Sequence, residues 1–186
     1  MKTLANYTLL ILIVLLLGSC KKGKNNENAC NGSSTRRDIK ICIDDASSEI
    51  DTIPIITNVD SIGSISVPES DKNSARQYIE KFTFTITAEV HKLSKHKDGD
   101  WKVKLTDGND KFINCEAPNM GCTYISGSIF YGKMETSRNW IEANKDDLEG
   151  KTVTITGVAF IDIDHKYPRN AAENELELHP ILDIHF

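Results

Sequence analysis

Five runs of this chain alternate between apolar and polar residues, and a single segment among them breaks that period of two. Phe82, Phe84, Ile86, Ala88 and Val90 alternate with Thr83, Thr85, Thr87 and Glu89. Trp101, Val103 and Leu105 alternate with Lys102, Lys104 and Thr106; Asp107-Gly108 then makes a turn, and Lys111–Glu116 returns as a third strand. From Ser128 to Asn144 the spacing becomes helical, with Ile129, Phe130, Met134, Trp140 and Ile141 on one face and Arg138 and Glu142 four apart. After Gly150, Val153, Ile155, Gly157, Ala159 and Ile161 form a fourth strand, and Leu176, Leu178, Leu182, Ile184 and Phe186 a fifth. A mainly β chain with one helix between its third and fourth strands has the plan of a small five-stranded barrel of the oligonucleotide/oligosaccharide-binding (OB) type. A half-open sheet packed on one helix satisfies the same order. This body spans 79–186, and Trp101 belongs to its core because it shares phase with Val103 and Leu105.

The start of the chain has a different character. Lys2 precedes an unbroken apolar run, Leu9 to Leu17. That run is too short to cross a bilayer, which takes about 20 residues, so Met1–Ser19 reads as a cleaved signal peptide. Its ending, Leu17-Gly18-Ser19-Cys20, resembles the lipobox of bacterial lipoproteins. That resemblance implies cleavage before Cys20 and acylation of its thiol and new amine by fatty acids such as palmitate. Two or more acyl chains make a stable membrane anchor. Residue 21 is Lys rather than Asp, which by the sorting rule of enteric bacteria points to the outer membrane, with the periplasmic and surface faces both open. Residues 20–35 are polar and form a flexible linker. Residues 36–78 form an irregular extension packed on the body. Within it Ile39, Ile41 and Ile43 suggest a short strand, while 44–73, with Pro54 and Pro68, is loop-like. The scattered Ile53, Ile55, Ile56, Val59, Ile62 and Ile65 are expected to lay that loop along the body.

Charge and cysteines narrow the setting. The net charge is −5, and loss of Lys2 with the signal peptide makes the body more acidic still. An acidic surface is a poor match for nucleic acid, whose affinity comes largely from Lys and Arg neutralising phosphates. With Cys20 lipidated, Cys30, Cys42, Cys115 and Cys122 remain. An even number in an exported protein suggests two disulfides, and the sequential pairing Cys30–Cys42 and Cys115–Cys122 closes the shortest loops. The spacing does not fit the paired cysteines of a zinc finger.

The chemically richest residues come last. Asp162, Asp164 and His165 end the fourth strand, and Asn174-Glu175-Leu176-Glu177-Leu178-His179-Pro180 opens the fifth. Alternation puts Glu177, His179, Asp183 and His185 on the face opposite the leucines, within reach of His165 if the connection folds back. Three readings stand: a divalent-metal site built on His165, Glu177 and His179, a solvated polar face, or a buried polar network. The last follows if a bulge at Pro180 turns Glu177 and His179 inward, with Asp162 and Asn174 nearby. Lys95, His96, Lys97, Lys102 and Lys104 surround Trp101 as a basic patch that could hold a glycan or polyanion. No phosphate loop, Gly-x-Ser-x-Gly or His-Glu-x-x-His motif occurs, and no catalytic residue can be assigned.

With these residues in view, the run Val153–Phe186 resembles a group of uncharacterised exported bacterial proteins. They share a strand ending near an aspartate, a His-containing loop and an Asn-x-(Ile/Leu)-Glu-Leu-His-Pro strand. Arg37, Lys40, Asp98-Gly99-Asp100, Cys122 and Arg138 match as well. The chain departs from that pattern at Lys102, where relatives carry His, and at His165-Lys166, where the loop is longer and lacks its glycines. The resemblance implies a small OB-like barrel and carries no activity. The expectation is a lipid-anchored cell-envelope binding or accessory module that meets a glycan or another envelope protein and needs no cofactor. The alternative is a metal-dependent hydrolase using His165, Glu177 and His179, with a divalent metal as its cofactor. Whether the protein is an enzyme stays open at this point.

Overall fold

The computed structural model describes residues 36–162 and 171–186. Its six strands are β1 (Asp51–Thr57), β2 (Phe82–Lys95), β3 (Trp101–Thr106), β4 (Phe112–Ala117), β5 (Thr152–Ile161) and β6 (Leu176–His185). They lie in the order β1-β2-β3-β4-β6-β5, and β2 also pairs with β5. That last pairing closes β2 to β6 into a five-stranded barrel. The barrel's only parallel neighbours are β4 and β6, and the main helix, Tyr131–Asn144, joins β4 to β5. This is the OB fold, and the expected five strands and helix stand where the alternation placed them.

Closure depends on β2. Its first half pairs with β5 from Thr83 to Glu89, and its second half pairs with β3 from Glu89 to Lys95. A register shift between Val90 and Lys92 lets one strand serve both neighbours. The interior is filled from every strand: Ile86, Val90, Val103, Leu105, Ile113, Cys115, Val153, Ile155, Leu178 and Ile181 are fully buried. Ile141 of the helix covers one end. Trp101 packs on this core while its indole N–H reaches out to Glu142 Oε1 at 2.7 Å, so it is half-buried rather than interior. Ile129 lies outside the helix and is exposed, a departure from the expected apolar face.

The extension before the barrel is more ordered than its sequence suggested. Ile39, Ile41 and Ile43 do not form a strand: Arg37–Lys40 is a one-turn helix, α1. Ile39 is buried, while Ile41 and Cys42 enter a second apolar cluster with Ile50, Ile125, Phe130, Met134, Val158 and Leu182. Within 44–73, β1 adds to β2 as a parallel strand, and a short helix, α2 (Val59–Gly63), is capped by Asn58, whose side chain accepts from the Ser61 N–H at 2.8 Å. Val59 and Ile62 are buried as expected, but Ile53, Ile55 and Ile56 project into solvent, Ile56 being 86% exposed. The main helix is α3 in chain order.

Two buried arginines fasten this extension. Arg36 pairs with Glu80 and donates to the carbonyls of Ser74 at 3.1 Å and Ile161 at 3.2 Å. Glu80 in turn accepts from the backbone N–H of Ile161 at 2.9 Å and of Gln77 at 2.7 Å. Arg76 donates to Asp44 at 2.6 Å and to the carbonyls of Ile39 and Glu80, both at 2.7 Å. Buried charges persist when paired in this way, here with only the Arg36 Nε left without a hydrogen bond.

Candidate functional site

A departure from alternation at Pro180 borders the site. Opposite β6, register shifts flank Gly157, which faces Ile181, while Ala159 faces Leu178. His179 and Pro180 therefore bulge between paired positions. A Cβ on Gly157 would stand 2.9 Å from Leu178 Cβ and 3.0 Å from the Pro180 carbonyl, so only glycine admits this approach. Glu177 and His179 keep the face opposite Leu176 and Leu178, yet they are only 2% and 1% exposed because α1 and the β3–β4 hairpin cover them, whereas Asp183 and His185 stay in solvent as a 2.9 Å pair. The four expected residues therefore divide into an inner and an outer couple.

The inner couple meets residues from three other elements. On β4, Glu116 faces Lys102 of β3 in register, and Lys102 Nζ lies 2.7 Å from Glu116 Oε1. Lys40 of α1 reaches in from the side, with Nζ 2.9 Å from Glu116 Oε2 and 3.2 Å from Glu177 Oε1. Its ammonium also lies 5.5 Å from the centre of the Phe160 ring. His179 Nδ1 lies 2.7 Å from the Lys40 carbonyl. A carbonyl only accepts, so Nδ1 carries the proton and donates it there. His179 Nε2 then points at Asp100 Oδ2 and Glu116 Oε2, each 3.6 Å away, and has no hydrogen-bond partner. Neither oxygen of Glu177 makes a hydrogen bond, so Lys40 Nζ, though 3.2 Å from Oε1, is poorly aligned to donate to it.

The electrostatics divide the two buried glutamates. Burial alone would raise the Glu116 carboxyl, but Lys40, His179 and Lys102 overcome it and hold Glu116 well below the usual carboxylate range. Burial also dominates at Glu177, and repulsion from Glu116 adds to it, so the carboxyl is pushed up to about 8 despite Lys40 and Lys102. Burial works against the Lys40 ammonium as well, yet Glu177, Glu116 and Asp162 more than offset it and raise its pKa well above the ordinary value. One carboxylate is thus locked in its charged form while its neighbour is inclined to keep a proton.

The other expected site residues go elsewhere. Asn174 is a structural clamp: its amide donates to the carbonyls of Ile62 at 2.8 Å and Ile65 at 2.9 Å, and its oxygen accepts from the Leu176 N–H at 3.1 Å. Asp162 lies close enough to act electrostatically on Lys40 and Glu177. Cys20, Cys30 and His165 lie outside the described residues. Of the cysteines, Cys122 is disulfide-bonded, but Cys42 and Cys115 are free and fully buried. Neither proposed pairing is therefore present. Cys115 faces the barrel interior and Cys42 the second apolar cluster, and burial raises both thiols, Cys42 to about 12. The basic patch is largely taken up internally: Lys102 by Glu116, and Lys95 by Glu142 at 3.3 Å and by the face of Trp101.

Lys40, Asp100, Lys102 and Glu116 complete the cluster, and the chemistry of the last strand did not flag them. The hairpin is centred on Asn109, which places Lys102 opposite Glu116, whereas counting back from an Asp107-Gly108 turn puts Lys102 opposite Ile113. Lys40 and Asp100 were marked only by the family resemblance, which matched both positions without assigning them a role.

No protein-family model and no curated protein matches this chain. Among solved structures, the chain is similar to Entamoeba histolytica asparaginyl-tRNA synthetase, with TM-score 0.40 and 15% identity over 71% of this chain and 23% of that one. The same enzyme in complex with asparaginyl-adenylate aligns with TM-score 0.39 and 16% identity, over the same shares of the two chains. The fold assignment rests on the strand order and closure described above.

Proposed function

We propose that this protein is a lipid-anchored binding or accessory module of the bacterial cell envelope, with Cys20 as the acylated residue and the barrel as its working head. In this reading it stands on the outer membrane, and a glycan or another envelope protein is its ligand. The observation that carries the choice of ligand class is the character of the β3–β4 face, the face on which OB barrels hold oligonucleotides and oligosaccharides. Here it carries Asp100 and Glu116, with Glu177 of β6 beside them; Lys40 of α1 and Lys102 already serve these carboxylates, and Lys104 lies over the Phe112 ring. Such a surface offers few free cations to phosphates and suits a neutral or cationic polar ligand better than nucleic acid. Mass spectrometry of the N-terminal peptide, together with membrane fractionation, tests the anchor. A full-length, unacylated chain in the soluble fraction overturns it. Retention on immobilised cell-wall glycans or envelope extracts tests the ligand, and tighter retention on single-stranded DNA or RNA than on either sinks the assignment.

A second reading is supported by the orphaned Nε2 of His179: a metal-dependent hydrolase, in which a bound ion lowers the pKa of a water that then attacks the substrate. Release of product from ester or glycoside substrates that stops on chelation would favour it over the binding role.

A further inference from the structure

We propose that Asp100, Glu116 and His179 form a binding site for one divalent transition-metal ion of the zinc class. The inference concerns this ligand set alone and depends neither on the envelope location nor on hydrolysis.

The geometry supports it from both sides of the imidazole. His179 is fully buried, and its Nδ1–H is spent on the Lys40 carbonyl, the arrangement that fixes the ring and frees Nε2 in metal-binding histidines. Nε2, aimed at two carboxylate oxygens and without a hydrogen-bond partner, is an uncompensated buried group. The separation also fits. Zinc bonds to nitrogen and oxygen of about 2.0–2.2 Å at tetrahedral angles set neighbouring ligand atoms about 3.4 Å apart. Nε2 stands 3.6 Å from each carboxylate oxygen, and the three ligand atoms all lie within 4.8 Å of one another. That spacing is too long for a hydrogen bond.

The carboxylates are held for this task. Asp100 Oδ1 accepts from the Asn119 N–H at 2.6 Å, which leaves Oδ2 turned to His179. The preceding Gly99 has φ +91°, and a Cβ there would collide with the Asn119 amide at 2.6 Å, so the turn that presents Asp100 needs glycine. Glu116 offers Oε2 while Lys102 holds Oε1. Lys40 now shares Oε2, and on metal binding its ammonium shifts to Glu177, already 3.2 Å away. The ion enters past Asp100, Lys40 and Lys102, the members of the cluster that reach the surface, and its fourth position remains open to water. One imidazole with two carboxylates suits zinc or manganese better than calcium or magnesium.

The test uses the full chain, stripped with a chelator and titrated calorimetrically with Zn2+ and with Mn2+. The expected result is one ion per chain, with affinity weakened at least tenfold in both D100N and H179Q. The cobalt-substituted protein should show ligand-field absorption without the intense charge-transfer band of thiolate ligation. D100N retains the Oδ1 acceptor on a partly exposed turn, so it decides the matter if H179Q fails to fold. Absence of binding by both ions, binding undiminished in D100N, or a thiolate band would each overturn the proposal.

Discussion

The last strand contains the same pair of groups twice, a carboxylate and an imidazole two residues apart, and the fold treats the two copies in opposite ways. Glu177 and His179 are fully buried among two lysines and two further carboxylates; Asp183 and His185 are more than half exposed and touch only each other. Composition is the same and secondary structure is the same. What differs is cover. α1 and the β3–β4 hairpin close over the first pair, whereas water covers the second. A sequence motif on a strand therefore says little about chemistry until the element lying across it is known.

That comparison can be broken by substitution. The largest effect is expected at Glu116, the hub of the inner cluster. Glu116→Ala strands Lys40 and Lys102, and breaking a buried pair in this way costs about 3–5 kcal/mol. Urea denaturation should show it as a lowered midpoint with an unchanged slope. His179→Ala removes the hydrogen bond to the Lys40 carbonyl, and an unmet buried carbonyl costs about 1–3 kcal/mol. Gly157→Ala should fall in the same range, about 1–3 kcal/mol, because overpacking forces the bulge away from β5. A Tm equal to wild type would show, for His179→Ala, that the Lys40 carbonyl is satisfied without the imidazole and, for Gly157→Ala, that β6 can shift away from β5 at no cost.

A graded effect sharpens the contrast through pH. The Glu177 carboxyl titrates near 8 in the folded chain against about 4.3 when unfolded. Between those values the folded state binds more protons than the unfolded one, so this group's contribution is fully present below the lower value and is lost as pH rises through the higher. Glu116 acts in the opposite sense, since its depressed pKa withdraws stability only in acid below the usual carboxylate range. In chelator-treated protein, E177Q should flatten the decline in stability from pH 5 to 8, as followed by thermal unfolding. An unaltered slope would mean that Glu177 is ionised throughout. The smallest effect belongs to the outer pair: Asp183→Ala should change stability by less than about 0.5 kcal/mol, as for other solvated ion pairs.

The barrel strands were legible because each turns one apolar face to a common core and a more polar face outward, to solvent or, on β4 and β6, to the charged cluster under α1, which writes a period of two into the chain. β1 was not, since its burial pattern is exposed along nearly its whole length and no alternation marks it. α1 read as a strand because three isoleucines at spacing two fit either structure over so short a window. Arg76, bound to the Ile39 carbonyl from a distance of 37 residues, belongs to a context that no local pattern contains. The cysteine pairing failed for a related reason. An even count cannot distinguish a thiol destined for a bridge from one that fills a core, and Cys42 and Cys115 do the latter in two separate clusters. At the site, Glu177 and His179 were visible as chemistry and the bulge at Pro180 as a device. The partners were not, because Lys40, Asp100 and Glu116 reach the site only through closure of the barrel.

The clamp on Arg36 bears on how the molecule takes a mechanical load. Among the described residues, a load on the N-terminal side of α1 meets this guanidinium, which is bolted to Glu80 and to the carbonyl of Ile161. The pull is thereby shared between the entrance to β2 and the exit of β5, two strands joined by a long antiparallel ladder. Lifting α1 off the barrel therefore means breaking the Arg36–Glu80 pair together with its bonds to Ser74 and Ile161, not α1's own contacts alone.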